Sequence, residues 1–214
     1  MDKPHLLKRT LIVSAIFIAV ILLYWAKCQL GVNIFKDFAW ESRFPILNAL
    51  QRQERTVILP PGPADILIAT FDDLFPGRLW KDIWMSVPDA VELRYVREGA
   101  DGSRCLRVDN RWLKDWALPQ FDLVRVTPGD ELAIDAVVRT TGTAKVALGM
   151  IAYGDHRQVI SYGLGSEAVT SPAGWRHEAR HVVVPKDVHY VRFDIYGSGA
   201  GTVWIDDIRF RKEK

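Results

Sequence analysis

From residue 66 to the C-terminus the chain breaks into short alternating or β-branched runs, each closed by a turn signal. The runs are Ile66–Phe71, Val91–Val96, Cys105–Val108, Asp122–Val126, Glu131–Arg139, Ala144–Tyr153, Gln158–Tyr162, Trp175–Val184, Tyr190–Tyr196 and Thr202–Phe210. Between them fall Asp101-Gly102, Pro128-Gly129, Thr141-Gly142, Pro172-Ala173-Gly174 and Gly197-Ser198-Gly199-Ala200-Gly201. No stretch after residue 64 carries the apolar period of an amphipathic helix. Strand side chains alternate between faces, so runs like these can bury one face only against a second sheet. The pattern predicts an all-β fold, an antiparallel sandwich or barrel.

Upstream the chain is of a different kind. Leu11 to Ala26 reads LIVSAIFIAVILLYWA, with Ser14 its only polar residue. A helix of that length reaches roughly 24 Å, and Thr10 with the stems of Arg9 and Lys27 extends it toward the ~30 Å hydrocarbon core. The segment ends Tyr24-Trp25-Ala26-Lys27, without a small-x-small cleavage site, and its two aromatics suit a membrane interface. An uncleaved transmembrane signal anchor over 10–30 is expected, behind a cytoplasmic tail of residues 1–9. Lys3, Lys8 and Arg9 precede the helix, so the positive-inside bias puts the rest outside, in the periplasm of a bacterial inner membrane. Residues 31–63 read as a juxtamembrane segment, either a surface helix broken near Pro45 or a partly ordered stalk, ending in the linker Leu59-Pro60-Pro61-Gly62-Pro63. The sandwich is expected over 64–214.

Charge narrows the partners. Lys3, Lys8 and Arg9 against Asp2 carry the whole formal excess of +2, so the remainder is neutral and has no field to hold a nucleic acid. Two cysteines, Cys28 and Cys105, make no disulfide framework. His177-Glu178-Ala179-Arg180-His181 matches H-E-x-x-H, but zinc chemistry needs both histidines on one turn of helix. Here the flanks are Gly174-Trp175 and Val182-Val183-Val184-Pro185, and in a strand the two histidines lie about 13 Å apart. No G-x-S-x-G elbow and no phosphate-binding glycine loop is present, and no carboxylate pair is singled out for glycoside hydrolysis. These observations argue against an enzyme.

The order of certain pieces is more specific. Thr70-Phe71-Asp72-Asp73 closes the first run, and Pro128-Gly129-Asp130-Glu131-Leu132 turns into a long strand. Gly174-Trp175 opens a strand closed by Val184-Pro185, and the chain ends on Val203-Trp204-Ile205-Asp206-Asp207-Ile208-Arg209-Phe210. Over residues 66–210 the chain resembles the carbohydrate-binding modules of families 4, 9 and 22. That resemblance implies a galactose-binding-like jelly-roll β-sandwich. It also implies a structural Ca2+ joining the first strand to the last, through Asp72 (where glutamate is usual) and Asp207, with Asp73 and Asp206 nearby.

Sugar binding rests on aromatic faces, which pack the C–H bonds of a pyranose while amides and carboxylates take its hydroxyls. Trp112, Trp116 and Gln120 fall in one polar segment, Arg111–Gln120, between two runs. For Trp112 and Trp116, exposed platform and core packing both remain open. Tyr153 and Tyr162, like Tyr196, end strands able to form a binding sheet. Trp80 and Trp84 lie in another loop, whereas Trp175 and Trp204 read as core. The expected function is non-catalytic binding of a glycan or polysaccharide, within machinery that makes, exports or remodels a surface polysaccharide. The alternative is an interaction subunit, whose anchor and sandwich dock a larger membrane-embedded protein complex.

Overall fold

The computed structural model describes residues 55–72, 79–80, 83–87 and 89–214. The expected tail, membrane anchor and most of the juxtamembrane segment lie outside them. The described residues form strands and no helix. One sheet holds β1 (Thr56–Ile58), β3 (Trp84–Met85), β6 (Trp116–Pro119), β7 (Leu123–Arg125), β9 (Lys145–Tyr153), β10 (Val159–Leu164) and β12 (Tyr190–Ser198). The other holds β2 (Ala64–Ala69), β4 (Val91–Val96), β5 (Cys105–Asn110), β8 (Glu131–Thr140), β11 (Arg176–Val183) and β13 (Gly201–Lys212). Each of the ten sequence runs corresponds to a strand. Three strands have no counterpart among them: β1, β3 and β6.

Each sheet is organised around one long strand bonded on both edges. In the first, β12 pairs with β9 along its whole length, and its other edge is shared by β6 and β7 in succession. In the second, β13 pairs with β8 on one edge and with β5 then β2 on the other. Alternation fills the space between. Val146, Leu148, Met150 and Ala152 of β9 and Val191, Phe193 and Ile195 of β12 face Leu132, Ile134, Ala136 and Val138 of β8 and Val203, Ile205, Ile208 and Phe210 of β13. Phe193 lies against Phe210 and against Trp80, with 5.9 Å between ring centroids in each pair.

The aspartate pair near the C-terminus has a structural reason. In β13, Val203 and Ile205 point inward and so do Ile208 and Phe210, which requires one extra residue between the two sets. A bulge supplies it: Asp206 stands opposite Val137 and Arg209 opposite Asp135, with Asp207 at a φ of 47°. Asp206 Oδ2 accepts hydrogen bonds from Ala100 N (3.0 Å) and Ser103 Oγ (3.1 Å), and its Oδ1 accepts from Asp207 N (2.9 Å). The bulge therefore also anchors the β4–β5 hairpin.

The domain begins earlier than residue 64. Thr56-Val57-Ile58 is a β-branched run that pairs in parallel with Leu123–Arg125, and Arg55 binds Asp122 at 3.0 Å. The proline stretch is thus the connection between β1 and β2, one in each sheet, and not the boundary of the sandwich. The outer face of the second sheet is polar and paired. Trp204 lies there, beneath Arg139 (4.1 Å from its ring) and with its Nε1 donating to Glu98 at 2.6 Å, so it covers a sheet face rather than filling the inter-sheet core.

Trp116 and Gly197 stand directly opposite each other in the β6–β12 pair, and a methyl at Gly197 would overlap the indole. Gly197→Ala is expected to destabilise the domain by about 1–3 kcal/mol through overpacking. Urea unfolding followed by tryptophan fluorescence measures this; an unchanged midpoint would mean that the indole is not seated on the glycine.

Candidate functional site

The outer face of the first sheet carries a groove of about 740 Å³. Its depth follows from the sequence by strand register. On β12 the outward residues are Arg192, Asp194, Tyr196 and Ser198, and opposite them on β9 stand Ile151, Gly149, Ala147 and Lys145. On the other side, β6 sets Pro119 opposite Asp194 and Ala117 opposite Tyr196. Small side chains on both neighbours leave a trough along the central strand. Ser166 leans over Gly149, where a Cβ would meet it at 2.7 Å.

Two exposed aromatics flank this trough. Trp84 of β3, 56% exposed, stands beyond β6, and Tyr162 of β10, 68% exposed, stands beyond β9. Four inter-strand spacings separate those strands, about 19 Å. Each spacing is about the length of a pyranose, so the trough is long enough for several linked sugars. Asp115 and Lys145 complete the rim.

The floor is polar at one place. Asp194 is only 1% exposed, and neither its Oδ1 nor the hydroxyl of Tyr196 completes a hydrogen bond. Burial pushes the Asp194 carboxyl up to about 7, against the opposing pull of the Tyr196 hydroxyl, the Ile195 and Leu118 backbone and the Arg192 charge. Burial, and then the Asp194 charge, also raises the Tyr196 phenol, which therefore stays protonated and able to donate.

The sequence-predicted residues are distributed unevenly around this site. Tyr162 lines the groove. Trp116 borders it, but its indole is 1% exposed and belongs to the core against Gly197, so it offers no platform to a sugar. Gln120 also points inward, while its backbone N donates to Phe193 O at 2.8 Å. Tyr153 lies further along the same outer face, 5.9 Å from the Arg192 guanidinium. Trp112 is 60% exposed on the 111–115 loop, away from the groove lining. Buried Asn110 shapes that loop by donating to Lys114 O (2.7 Å) and Gly199 O (3.0 Å) and accepting from Trp112 N.

Sequence reasoning passes over Trp84, because two residues of strand between loop-like neighbours read as loop. It also passes over Asp194, although an acid in the strict alternation Val191-Arg192-Phe193-Asp194-Ile195-Tyr196 marks the exposed side of a central strand.

The expected calcium residues are placed as follows. Asp72 Oδ1 accepts from Arg104 N at 3.1 Å, Asp207 sits in the bulge, and both oxygens of Asp206 are taken by the donors described above. Among the described residues no three His, Cys, Asp or Glu side chains converge. Asp73, the fourth acid of that set, lies outside the described residues. His177 and His181 lie on strand β11, paired with Asp135 (3.6 Å) and Glu213 (3.1 Å), as the strand context of that motif predicts. Cys105 is buried, its thiol pushed up to about 11.

No family model matches the chain, and a search of curated proteins finds no match. Solved structures do resemble it. One is the family 22 carbohydrate-binding and GH10 modules of Clostridium thermocellum endo-1,4-β-D-xylanase 10B complexed with xylohexaose, with a TM-score of 0.50 and 15% identity over 69% of this chain and 28% of that one. Another is the CBM22-1 xylan-binding domain of Paenibacillus barcinonensis Xyn10C, with a TM-score of 0.50 and 12% identity over 73% of this chain and 99% of that one. A third is the enzymatically active domain of bacteriophage CBA120 tailspike protein 4, with a TM-score of 0.51 and 12% identity over 66% of this chain and 20% of that one. The chain thus spans a minor part of the xylanase and tailspike chains and nearly all of the xylan-binding domain. At such identities the likeness shows the fold, an all-β sandwich of the carbohydrate-binding-module jelly-roll type.

Asp194 yields a stability prediction. With its folded value near 7 against an ordinary 3.8, the folded state holds a proton that the unfolded state has released. Its contribution is present below about pH 4 and is lost as pH rises through 7, a change on the order of 4 kcal/mol. Asp194→Asn should match the parent protein at pH 4 and exceed it in thermal stability at pH 8. A constant gap between the two melting curves across that range would contradict the assignment.

Proposed function

We propose that the chain is a non-catalytic glycan-binding module whose ligand lies in the groove between Trp84 and Tyr162. The observation that carries this reading is the pairing of two exposed aromatic faces with a floor where one carboxyl oxygen and a phenol hydroxyl complete no hydrogen bond. Aromatic faces hold pyranose rings, and the floor groups take ring substituents. The carbohydrate-binding modules among the similar folds support the same reading by analogy. In this proposal the apolar run at 11–26 anchors the module in a bacterial inner membrane, with the sandwich on the periplasmic side, where it serves surface-polysaccharide synthesis or export.

One observation favours a second reading, that of an interaction subunit. Trp112 and Leu113 are displayed side by side to solvent, on a loop fixed by Asn110 and outside the groove. An exposed tryptophan on a fixed loop suits a protein contact. Loss of a membrane-embedded partner from the purified complex in Trp112→Ala, with glycan binding intact, would assign the loop to it.

For the leading reading, purified full-length protein in mild detergent is titrated calorimetrically against neutral, acidic and amino-substituted glycans. Trp84→Ala and Tyr162→Ala should each weaken the best ligand by roughly tenfold or more. Trp112→Ala should leave it unchanged. A panel without any ligand would refute the glycan reading, and hydrolysis of a bound glycan by the parent protein would refute its non-catalytic part.

A further inference from the structure

The chemistry of the groove walls restricts the kind of sugar, given the glycan reading on which this inference rests. Ala117, Pro119, Ala147, Ile151 and Ala168 present methyl and methylene groups to the trough. A glycan covered in free hydroxyls would set several of them against these side chains. Each such hydroxyl gives up water and gains no partner, which is unfavourable. An acyl substituent reverses the balance, since its methyl group gains from the same surface.

The floor then distinguishes among acyl groups. Asp194 Oδ1 is buried and completes no hydrogen bond, and neither does the Tyr196 hydroxyl, which lies close enough to act on the same carboxyl. An ester-linked acetyl has no hydrogen to give Asp194. An acetamido group has an N–H, and the oxygen on the neighbouring ring carbon can accept from Tyr196. Formal charge on the ligand is not favoured either. A uronate would face the carboxyls of Asp115 and Asp194, and the nearby cations, Lys145 at the rim and Arg192 acting on Asp194, are already opposed by those two acids. An ammonium would shed its hydration against methyl walls.

We propose that the groove selects glycans carrying 2-acetamido groups, polymers of N-acetylhexosamine, with the amide N–H on Asp194 and the acetyl methyl seated against Ala147 and Ile151.

Three β-1,4-linked hexasaccharides share one skeleton and differ only at C2: those of N-acetylglucosamine, glucose and glucosamine. Titrated into the purified full-length protein, the N-acetylglucosamine hexamer should bind at least tenfold more tightly than either of the others. Asp194→Ala should reduce that preference to less than threefold. Ala147→Val keeps every hydrogen-bonding group and narrows only the methyl seat, so it tests the same seat should Asp194→Ala fold poorly; it should weaken the N-acetylated hexamer most. Equal affinities, or a preference for the glucose or glucosamine hexamer, would overturn the acetamido assignment while leaving the groove a glycan site. Binding of other glycans in the wider panel, with no N-acetylated one among them, would overturn it in the same way. Failure of the whole panel would remove the glycan reading itself.

Discussion

Phe193 and Phe210 meet between the sheets, one from the centre of each. Their contact joins β12 to β13, the two strands that are hydrogen-bonded on both edges for most of their length. A strand bonded on both edges cannot slide by one residue without turning its apolar set outward. The register of β12 is therefore set by the inward positions of Val191, Phe193 and Ile195. Everything on its other face, Arg192, Asp194, Tyr196 and Ser198, is placed by the same constraint. The groove is the outer consequence of an inner packing requirement.

That coupling explains which parts of the fold are legible in the sequence. Long strands with one buried face show themselves by alternation, as β8, β9, β12 and β13 do. The strands that pattern alone misses are short and hold their places by pairing. β3 has two residues, bonded to β6. β6 ends in Pro119, and β1 is followed closely by Pro60 and Pro61, which mimic a linker. Only the tertiary partner, Leu123–Arg125 for β1, turns those residues into sheet. The Asp206-Asp207 pair is visible as a motif, yet its role as a bulge cannot be read from it. That requires knowing that Ile205 and Ile208 share one face.

The site is less legible, for a different reason. Aromatic residues are ambiguous in sequence because the same ring serves core and surface. Trp112 and Trp116 lie four residues apart in one polar segment, and the first is displayed while the second is buried. What separates them is Gly197, which stands opposite Trp116 in the neighbouring strand and leaves room for an indole. No local rule relates a tryptophan to a glycine some eighty residues later. Tyr162, read from the sequence as ending a strand, is exposed on the edge strand β10.

Buried polar groups elsewhere in the molecule give Asp194 its meaning. Asp206 is met by three donors. Glu178 lies between Arg176 and Arg180, at 2.5 and 3.1 Å. Asp130 holds Lys212 at 2.7 Å. The fold supplies partners for acids where it buries them, because an unmet carboxylate oxygen costs stability. Trp80 Nε1, Trp116 Nε1 and Gln120 Oε1 also complete no hydrogen bond but are neutral, and Glu178 Oε1 and Arg139 Nε, which complete none either, belong to side chains held in ion pairs. Asp194 combines a buried, unpartnered carboxyl oxygen with a place on the floor of an open groove. Its nearest polar neighbour on the strand, the Tyr196 hydroxyl, has the same combination. An acid in that place fits the proposed glycan site, where an N–H of the ligand would meet the open oxygen.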